Sequence, residues 1–336
     1  MKLIIGTFIF CIILFLYLHI QFHLKTSDDL EIYEIDQSSK DKLEEICDLR
    51  QPVMFGLENS KLVETTNKTY ILKNYPVFEV KIRSPVDSDH VPLTLELADA
   101  LFREDKTASY FSEKNEDFLI ETGINKHMQY NDEFLRPPMV SNCYYDILMG
   151  TEDATTPFRY ELNYRTFLVV TQGTVNIKLS PPKSGRYLYP ISDYDTFEFR
   201  SPINPWAVEA KYRADFDKIK CLELTLTPDR CLFIPSYWWH SIKFGKDSSI
   251  SMLSYRTYMN NVAILPSTLM YWLQNQNIKR DVVKKIDIQE QKEAQKDATR
   301  ETTIREATIR EATIREAPIK EGLKEVVSEE TPSADN

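Results

Sequence analysis

The chain has 336 residues, with 41 Lys and Arg against 51 Asp and Glu, a formal charge of −10 and 42% hydrophobic residues. That balance argues against nucleic acid as a main partner, because phosphate binding needs a positive surface. Five Cys are too few for a disulfide scaffold, and eight Gly without a GxGxxG or GxxxxGK(S/T) run argue against a phosphate-cradling loop.

The first predicted element is an apolar helix. Residues 3–20 carry no charge, and His19 is the only strongly polar side chain among them. With Phe22 and Leu24 the run reaches the ~20 residues that cross ~30 Å of hydrocarbon. We read residues 1–26 as a single-pass membrane anchor, with residues 3–24 in contact with lipid. The rival readings are a cleaved signal peptide and a buried core helix, although no small-x-small cleavage site follows the run. Lys2 and Lys25 flank the segment on opposite sides, so the positive-inside rule selects no orientation. Residues 27–41 read as a linker. One sequon, Asn67-Lys68-Thr69, matters only if the domain faces a lumen, and we read it as chance.

Residues 42–277 read as one folded domain. Its first part mixes strand and helix. Pro52–Phe55, Tyr70–Leu72 and Val77–Ile82 are predicted strands. Thr94–Phe102 has helical spacing, with Leu95, Ala98, Leu101 and Phe102 on one face and Thr94 as N-cap. Short strands separated by Pro, Gly and Asp follow: Tyr144–Met149, Arg159–Tyr164, Phe167–Thr171, Val175–Ser180, Leu222–Leu226, Cys231–Ile234, His240–Phe244 and Ile250–Tyr255. This pattern predicts a mainly β domain of the jelly-roll or related barrel type. Pro266–Gln276 is predicted to close it as a helix.

Residues 278–336 form a charged tail. It repeats every five residues from Arg300 to Ile319, through Arg-Glu-Thr-Thr-Ile and Arg-Glu-Ala-Thr-Ile to Arg-Glu-Ala-Pro-Ile. Five residues advance a helix by about 500°, so successive Ile side chains rotate by about 140° and build no coiled-coil seam. Glu301, Glu306, Glu311 and Glu316 each precede a cation by four residues, the favourable order on a helix. We read a solvated, marginal helix that becomes a disordered spacer.

Two segments are more specific than composition. The first is Thr155-Thr-Pro-Phe-Arg-Tyr-Glu161, followed by Gly173 and Leu179-Ser-Pro-Pro182. The second is Leu224-Thr-Leu-Thr-Pro-Asp-Arg-Cys-Leu-Phe-Ile-Pro-Ser-Tyr-Trp-Trp-His240. Together they resemble the cupin-like, JmjC-type family of Fe(II)- and 2-oxoglutarate-dependent oxygenases, whose segments read T-P-x-H-x-D and P-G-D-x-L-F-I-P-x-x-W-W-H. The resemblance spans about Arg50 to Asn261. It implies a double-stranded β-helix with two facing sheets, and an iron held between them by two His and one carboxylate.

The three ligand positions implied by the resemblance are Arg159, Glu161 and His240. His240 matches, and Glu161 is a longer carboxylate. Arg159 cannot ligate, because its guanidinium stays protonated and offers no lone pair. The family also places a Lys two residues after Gly173 for the 2-oxoglutarate carboxylate, where this chain has Val175. Lys178 should face outward by strand alternation. The expected pocket is Thr156, Val175, Tyr237, Trp238 and Trp239, the last three packing at the barrel mouth. Because alternate strand residues share a face, Arg159 and Glu161 are expected to pair inside the barrel in place of the metal, with His240 bonded to one of them. His90 and His127 show no metal-ligand spacing.

No C-x-x-C, G-x-S-x-G or H-E-x-x-H run occurs. The expectation is a membrane-anchored cupin/JmjC-like pseudoenzyme, a binding or structural module with no cofactor and with a protein partner left open. One alternative is a divergent oxygenase using Fe(II) and 2-oxoglutarate, with Glu161 and His240 as metal ligands. The other is a cupin that binds a small molecule or glycan. The arrangement of anchor, domain and repeat tail looks similar to proteins encoded by large DNA viruses.

Overall fold

The computed structural model describes residues 2–277 apart from 36–38, 85–89 and 229. The predicted tail, 278–336, lies outside the described residues. In chain order the helices are α1 (Lys2–Leu24), α2 (Lys40–Cys47), α3 (Ser60–Thr66), α4 (Lys68–Asn74), α5 (Leu95–Glu104), α6 (Glu116–Glu121), α7 (Ile124–Asn131), α8 (Ala210–Phe216), α9 (Tyr258–Ala263) and α10 (Leu265–Asn277). The strands are β1 (Tyr33–Ile35), β2 (Val53–Gly56), β3 (Glu79–Arg83), β4 (Val91–Thr94), β5 (Phe111–Ser112), β6 (Val140–Gly150), β7 (Arg159–Tyr160) and β8 (Arg165–Gln172). They continue with β9 (Val175–Ser180), β10 (Ile191–Asp193), β11 (Glu198–Arg200), β12 (Leu222–Leu226), β13 (Arg230–Pro235), β14 (Trp239–Phe244) and β15 (Ser249–Thr257).

Two sheets face each other, as a double-stranded β-helix requires. One has nine strands in the order β1-β2-β13-β8-β15-β6-β5-β3-β4, and the other six in the order β10-β11-β7-β14-β9-β12. Between them lies an apolar layer that includes Leu148, Leu168, Val170, Ile177, Leu179, Leu232, Trp238, Ile242 and Ile250. The outer face of the larger sheet is covered too, by a second core that joins Phe167, Val169, Phe233, Leu253 and Tyr255 to Leu43, Leu62, Leu95 and Phe118 of the helices. Both faces of β8 are therefore dry, and its Arg-Thr-Phe-Leu-Val-Val-Thr run is buried without alternation. The smaller sheet has one wet face, and Val175, Ile177 and Leu179 of β9 alternate with half-exposed Asn176 and Lys178. Asp132 ties the helical layer to the strands by accepting hydrogen bonds from Tyr145 Oη at 2.6 Å and Tyr255 Oη at 2.8 Å.

Most predicted barrel strands match the observed ones within a residue or two, and α10 takes the place of the predicted closing helix. Three local readings differ. Tyr70–Leu72 is helical, inside α4, because Asn67 caps that helix by accepting from Tyr70 N at 2.7 Å. Arg159–Tyr164 forms only the two residues of β7. Residues 27–41, read as linker, contain β1, which pairs parallel to β2. Thr94 occupies the N-cap of α5 without a side-chain cap bond. The sequon asparagine is engaged on both sides, since Asn67 Nδ2 also donates to the carbonyls of Val63 and Glu64.

The β8–β9 turn depends on glycine. Gly173 has φ +70°, and a Cβ there would lie 2.8 Å from both Lys246 O and Ser248 Cα. Gly123 has a similar φ of +75° but nothing within 4 Å of that point. Gly123→Ala should therefore cost only the left-handed penalty of about 1–2 kcal/mol. Gly173→Ala should cost visibly more, read as a larger drop in the urea midpoint of the full chain.

Candidate functional site

The register sets Arg159 of β7 directly opposite His240 of β14. β11 flanks β7 on its other side, with Phe199 opposite Tyr160 and Arg200 opposite Arg159. The two motif segments thus lie side by side in the six-stranded sheet. The side chains arrange themselves differently from the expected pair.

Arg159 is bonded to Glu113, not to Glu161. Its Nη1 and Nη2 donate to Glu113 Oε1 and Oε2 at 3.0 and 2.6 Å, a bidentate pair, and Nη1 lies 3.5 Å from Glu198 Oε1. Arg83 makes the complementary fork, with Nη1 and Nη2 donating to Glu198 Oε2 and Oε1 at 3.0 and 3.3 Å. Arg83 Nη1 is also 2.9 Å from Glu113 Oε1. Two cations and two anions therefore alternate in a closed network, every side chain at most 8% exposed. Lys114 adds a fifth charge at its edge, with Nζ 3.8 Å from Glu198 Oε2. Arg83 and Glu113 come from the nine-stranded sheet's β3 and the residue after β5, whereas Arg159 and Glu198 lie on β7 and β11 of the six-stranded sheet. The network crosses between the sheets.

The expected Arg159–Glu161 pairing fails because β7 stops at Tyr160, so strand alternation does not reach Glu161. The Glu161 carboxylate accepts instead from Asn163 Nδ2 at 2.8 Å, Thr166 Oγ1 at 2.9 Å and Ser254 Oγ at 3.4 Å. His240 is bonded to neither expected partner: its Nδ1 lies 3.3 Å from the Trp238 carbonyl. Burial pushes the His240 pKa down, opposed by the charge of Glu161 and reinforced by Arg159. His90 is half-buried, with Nε2 unpartnered, and His127 is exposed on α7.

The expected pocket divides. Thr156, Val175 and Trp238 are solid core, at most 2% exposed. Thr156 is consumed by β14, since its Oγ1 accepts from Ile242 N at 2.9 Å and its carbonyl from Ser241 Oγ at 2.6 Å. Trp238 Nε1 donates to the Arg50 carbonyl at 3.2 Å. Trp239 is as deeply buried, at 2% exposed, and its edge joins half-buried Tyr237 in a groove with Leu24, Tyr160, Pro182 and Gly185, beside the end of α1. Lys178 does face outward, over the Trp206 ring at 4.6 Å and 3.5 Å from Glu223. A separate cleft of about 150 Å³ opens over the ion network, lined in part by Lys114, Asp146, Glu161, Asn163 and Arg256.

Electrostatics follow from this arrangement. Burial alone would raise the carboxyl of Glu198, but Arg159 and Arg83 overcome it and bring it down to about 2. Glu113 is held below its ordinary value in the same way, by Arg159 first and then Arg83. Asp146, buried next to Glu113, moves the other way, to about 7, despite accepting from the backbone N–H groups of Asn115, Lys114 and Ile147. Among the described residues no group of three or more His, Cys, Asp or Glu side chains is placed to hold a metal ion.

A profile of the cupin-like domain matches residues 64–277. The chain belongs to the cupin-like domain family. It is also similar to HSPB1-associated protein 1 of Rattus norvegicus and of Homo sapiens, 28% identical over 108 residues in each case, and to the HSPB1-associated protein 1 homolog of Danio rerio, 26% identical over 108 residues. That stretch is 32% of this chain, 22% of the rat and human proteins and 24% of the Danio rerio protein. The match therefore spans less than a quarter of those relatives' length.

Within this cupin-like domain, Arg83, Glu113 and Glu198 escaped sequence reasoning. No motif spacing links them to Arg159. The one local signal was the alternation Phe197-Glu-Phe-Arg200, which marks β11 and was obscured by the Tyr- and Asp-rich turn before it.

Removing one partner should strand buried charge. Arg159→Leu should destabilise the full chain by about 3–5 kcal/mol, and adding Glu113→Gln should recover part of the loss, measured by chemical denaturation. The pH dependence has a definite sign. Glu198 has a folded value of about 2 against an ordinary 4.5, so the unfolded chain takes up this proton first. The stability it contributes is present above pH 4.5 and is lost as pH falls toward 2. Glu198→Gln should flatten that acid limb of a Tm-against-pH curve.

Proposed function

We propose that this chain is a membrane-anchored cupin-like module that has exchanged oxygenase chemistry for an internal ion network, and that it works by holding a protein partner. The observation that carries the reading is the bidentate Arg159–Glu113 pair at the first of the family's ligand positions. The residues present do not fit Fe(II). Arg159 has no lone pair, and its fixed positive charge would repel a cation placed beside His240. Glu113 and Glu198 are already neutralised by two guanidiniums. Glu161 is occupied by Asn163, Thr166 and Ser254.

The co-substrate side points the same way. Val175, where the resemblance expects Lys, is a 1% exposed core residue, and Lys178 is engaged outside the barrel. The cleft over the network, about 150 Å³, is well under the roughly 300–1,000 Å³ of ordinary small-molecule sites. A protein partner agrees with the relatives' name, which describes association with HSPB1.

The anchor reading rests on α1 and its seat. The helix has a mean hydropathy of 2.6 over its apolar window, none of that window buried, and is long enough to cross a bilayer. Its last turn is built into the fold: His23 is buried against the Tyr164 ring, and its Nε2 lies 3.0 Å from Thr257 Oγ1. Arg50 sits 5.0 Å from the Phe22 ring. Contacts of this kind favour a helix that stays with the mature chain over a cleaved leader.

The test uses the full chain, solubilised from membranes in mild detergent and purified without chelator. The expected results are iron well below one atom per chain, no 2-oxoglutarate binding by calorimetry, and an intact mass that retains residues 1–26. Stoichiometric iron, or succinate formed in a 2-oxoglutarate-dependent manner, overturns the non-oxygenase reading. A mass lacking the N-terminal helix overturns the anchor.

A further inference from the structure

From Thr257 to Asn277 the chain has no Asp, Glu, Lys or Arg, although 27% of its residues are charged. This stretch forms α9 and α10. On α10, Leu265, Leu269, Met270, Trp272 and Leu273 are exposed, Trp272 at 65%. Tyr258 and Val262 of α9 are exposed as well. The helix is nevertheless attached to the fold: it follows Ile264, which is buried with Leu162 and Phe199, and the Tyr271 ring meets Phe197 edge-on at 5.7 Å. Exposed apolar side chains on an uncharged, anchored helix mark a surface that meets something other than water.

We infer that α10 lies on the lipid surface beside α1, with its apolar side chains in the headgroup and upper acyl region. The inference rests on the reading of α1 as a membrane anchor, and three observations carry it further. First, α9 packs against both α1 and α10. Second, the α1 positions that face the domain are Leu16, His19, Ile20 and His23, one helical stripe over its last two turns. A 23-residue helix is about 34 Å long against about 30 Å of hydrocarbon, so its last turn, whose His23 meets the Thr257 N-cap of α9, stands at the membrane boundary. Third, α10 carries Trp272 and Tyr271, the side chains favoured at that depth. A helix with a large exposed apolar side and an interfacial Trp fits a bilayer surface.

The test reconstitutes the full chain in phosphatidylcholine–phosphatidylserine vesicles whose acyl chains carry bromine at known depths. Tryptophan quenching is compared between the wild type and Trp272→Phe, and an alkaline wash of the same vesicles reports α1 separately. The expected result is quenching by shallow bromines that Trp272→Phe abolishes. Leu269→Glu with Leu273→Glu should cut it severalfold while the chain stays in the washed pellet. If the chain pellets but quenching is the same in the wild type and Trp272→Phe, α10 does not touch lipid and the inference is overturned while the anchor stands. If the chain leaves with the alkaline wash, the anchor reading fails and the inference fails with it. If Trp272→Cys crosslinks two copies while Trp272 is unquenched in the wild type, the face belongs to a second copy and the inference is likewise overturned.

Discussion

Two guanidiniums and two carboxylates, all nearly dry, are the constraint on which this barrel depends. Each ion alone would face a desolvation cost of several kcal/mol, so none can be buried without the others. Their geometry repays that cost by alternation: each Arg forks onto one Glu and touches the second. The Nε atoms of Arg83 and Arg159 find no partner, so the network is not fully satisfied. Its effect is best understood as positional. Four residues from two sheets meet only when β3, β5, β7 and β11 are all in register.

That requirement bears on function through one strand. Arg159 faces His240 across β7 and β14, so the guanidinium occupies the same end of the barrel as the motif histidine. Glu113 reaches in from the opposite sheet and holds it there. The consequence reaches the neighbours: Glu161 is released to the Thr166–Ser254 hydroxyls, and His240 is left buried beside a backbone carbonyl with a depressed pKa. Next to the network, where Ile264 packs with Leu162 and Phe199 and the Tyr271 ring meets Phe197, the order of forces is reversed. There α9 and α10 carry no charged residue and α1 none after Lys2, and large apolar side chains of all three helices are exposed.

Local chemistry made much of this legible. Period-two alternation and Pro or Gly punctuation marked the barrel strands, because one face of each meets the inter-sheet core. Lys178 could be placed outside the barrel from β9 alone. Tyr70–Leu72 was misread because its β-prone residues are overruled by the Asn67 cap, a single side-chain bond. The Arg159–Glu161 pair was misread because strand alternation was extended past the end of a two-residue strand.

By itself the sequence determined the anchor-like helix, the mainly β domain and the family motif with Arg159 where a metal-binding His is expected. These are properties of neighbouring residues, expressed through hydrophobic period, length and spacing. Only the tertiary structure decided what Arg159 is bonded to. Glu113, Glu198 and Arg83 lie between 39 and 76 residues away from it in the chain, and charge attraction carries no record of sequence separation. The pairing is set by which strand ends the two sheets bring together and by the dry core that forces each buried charge to find its opposite.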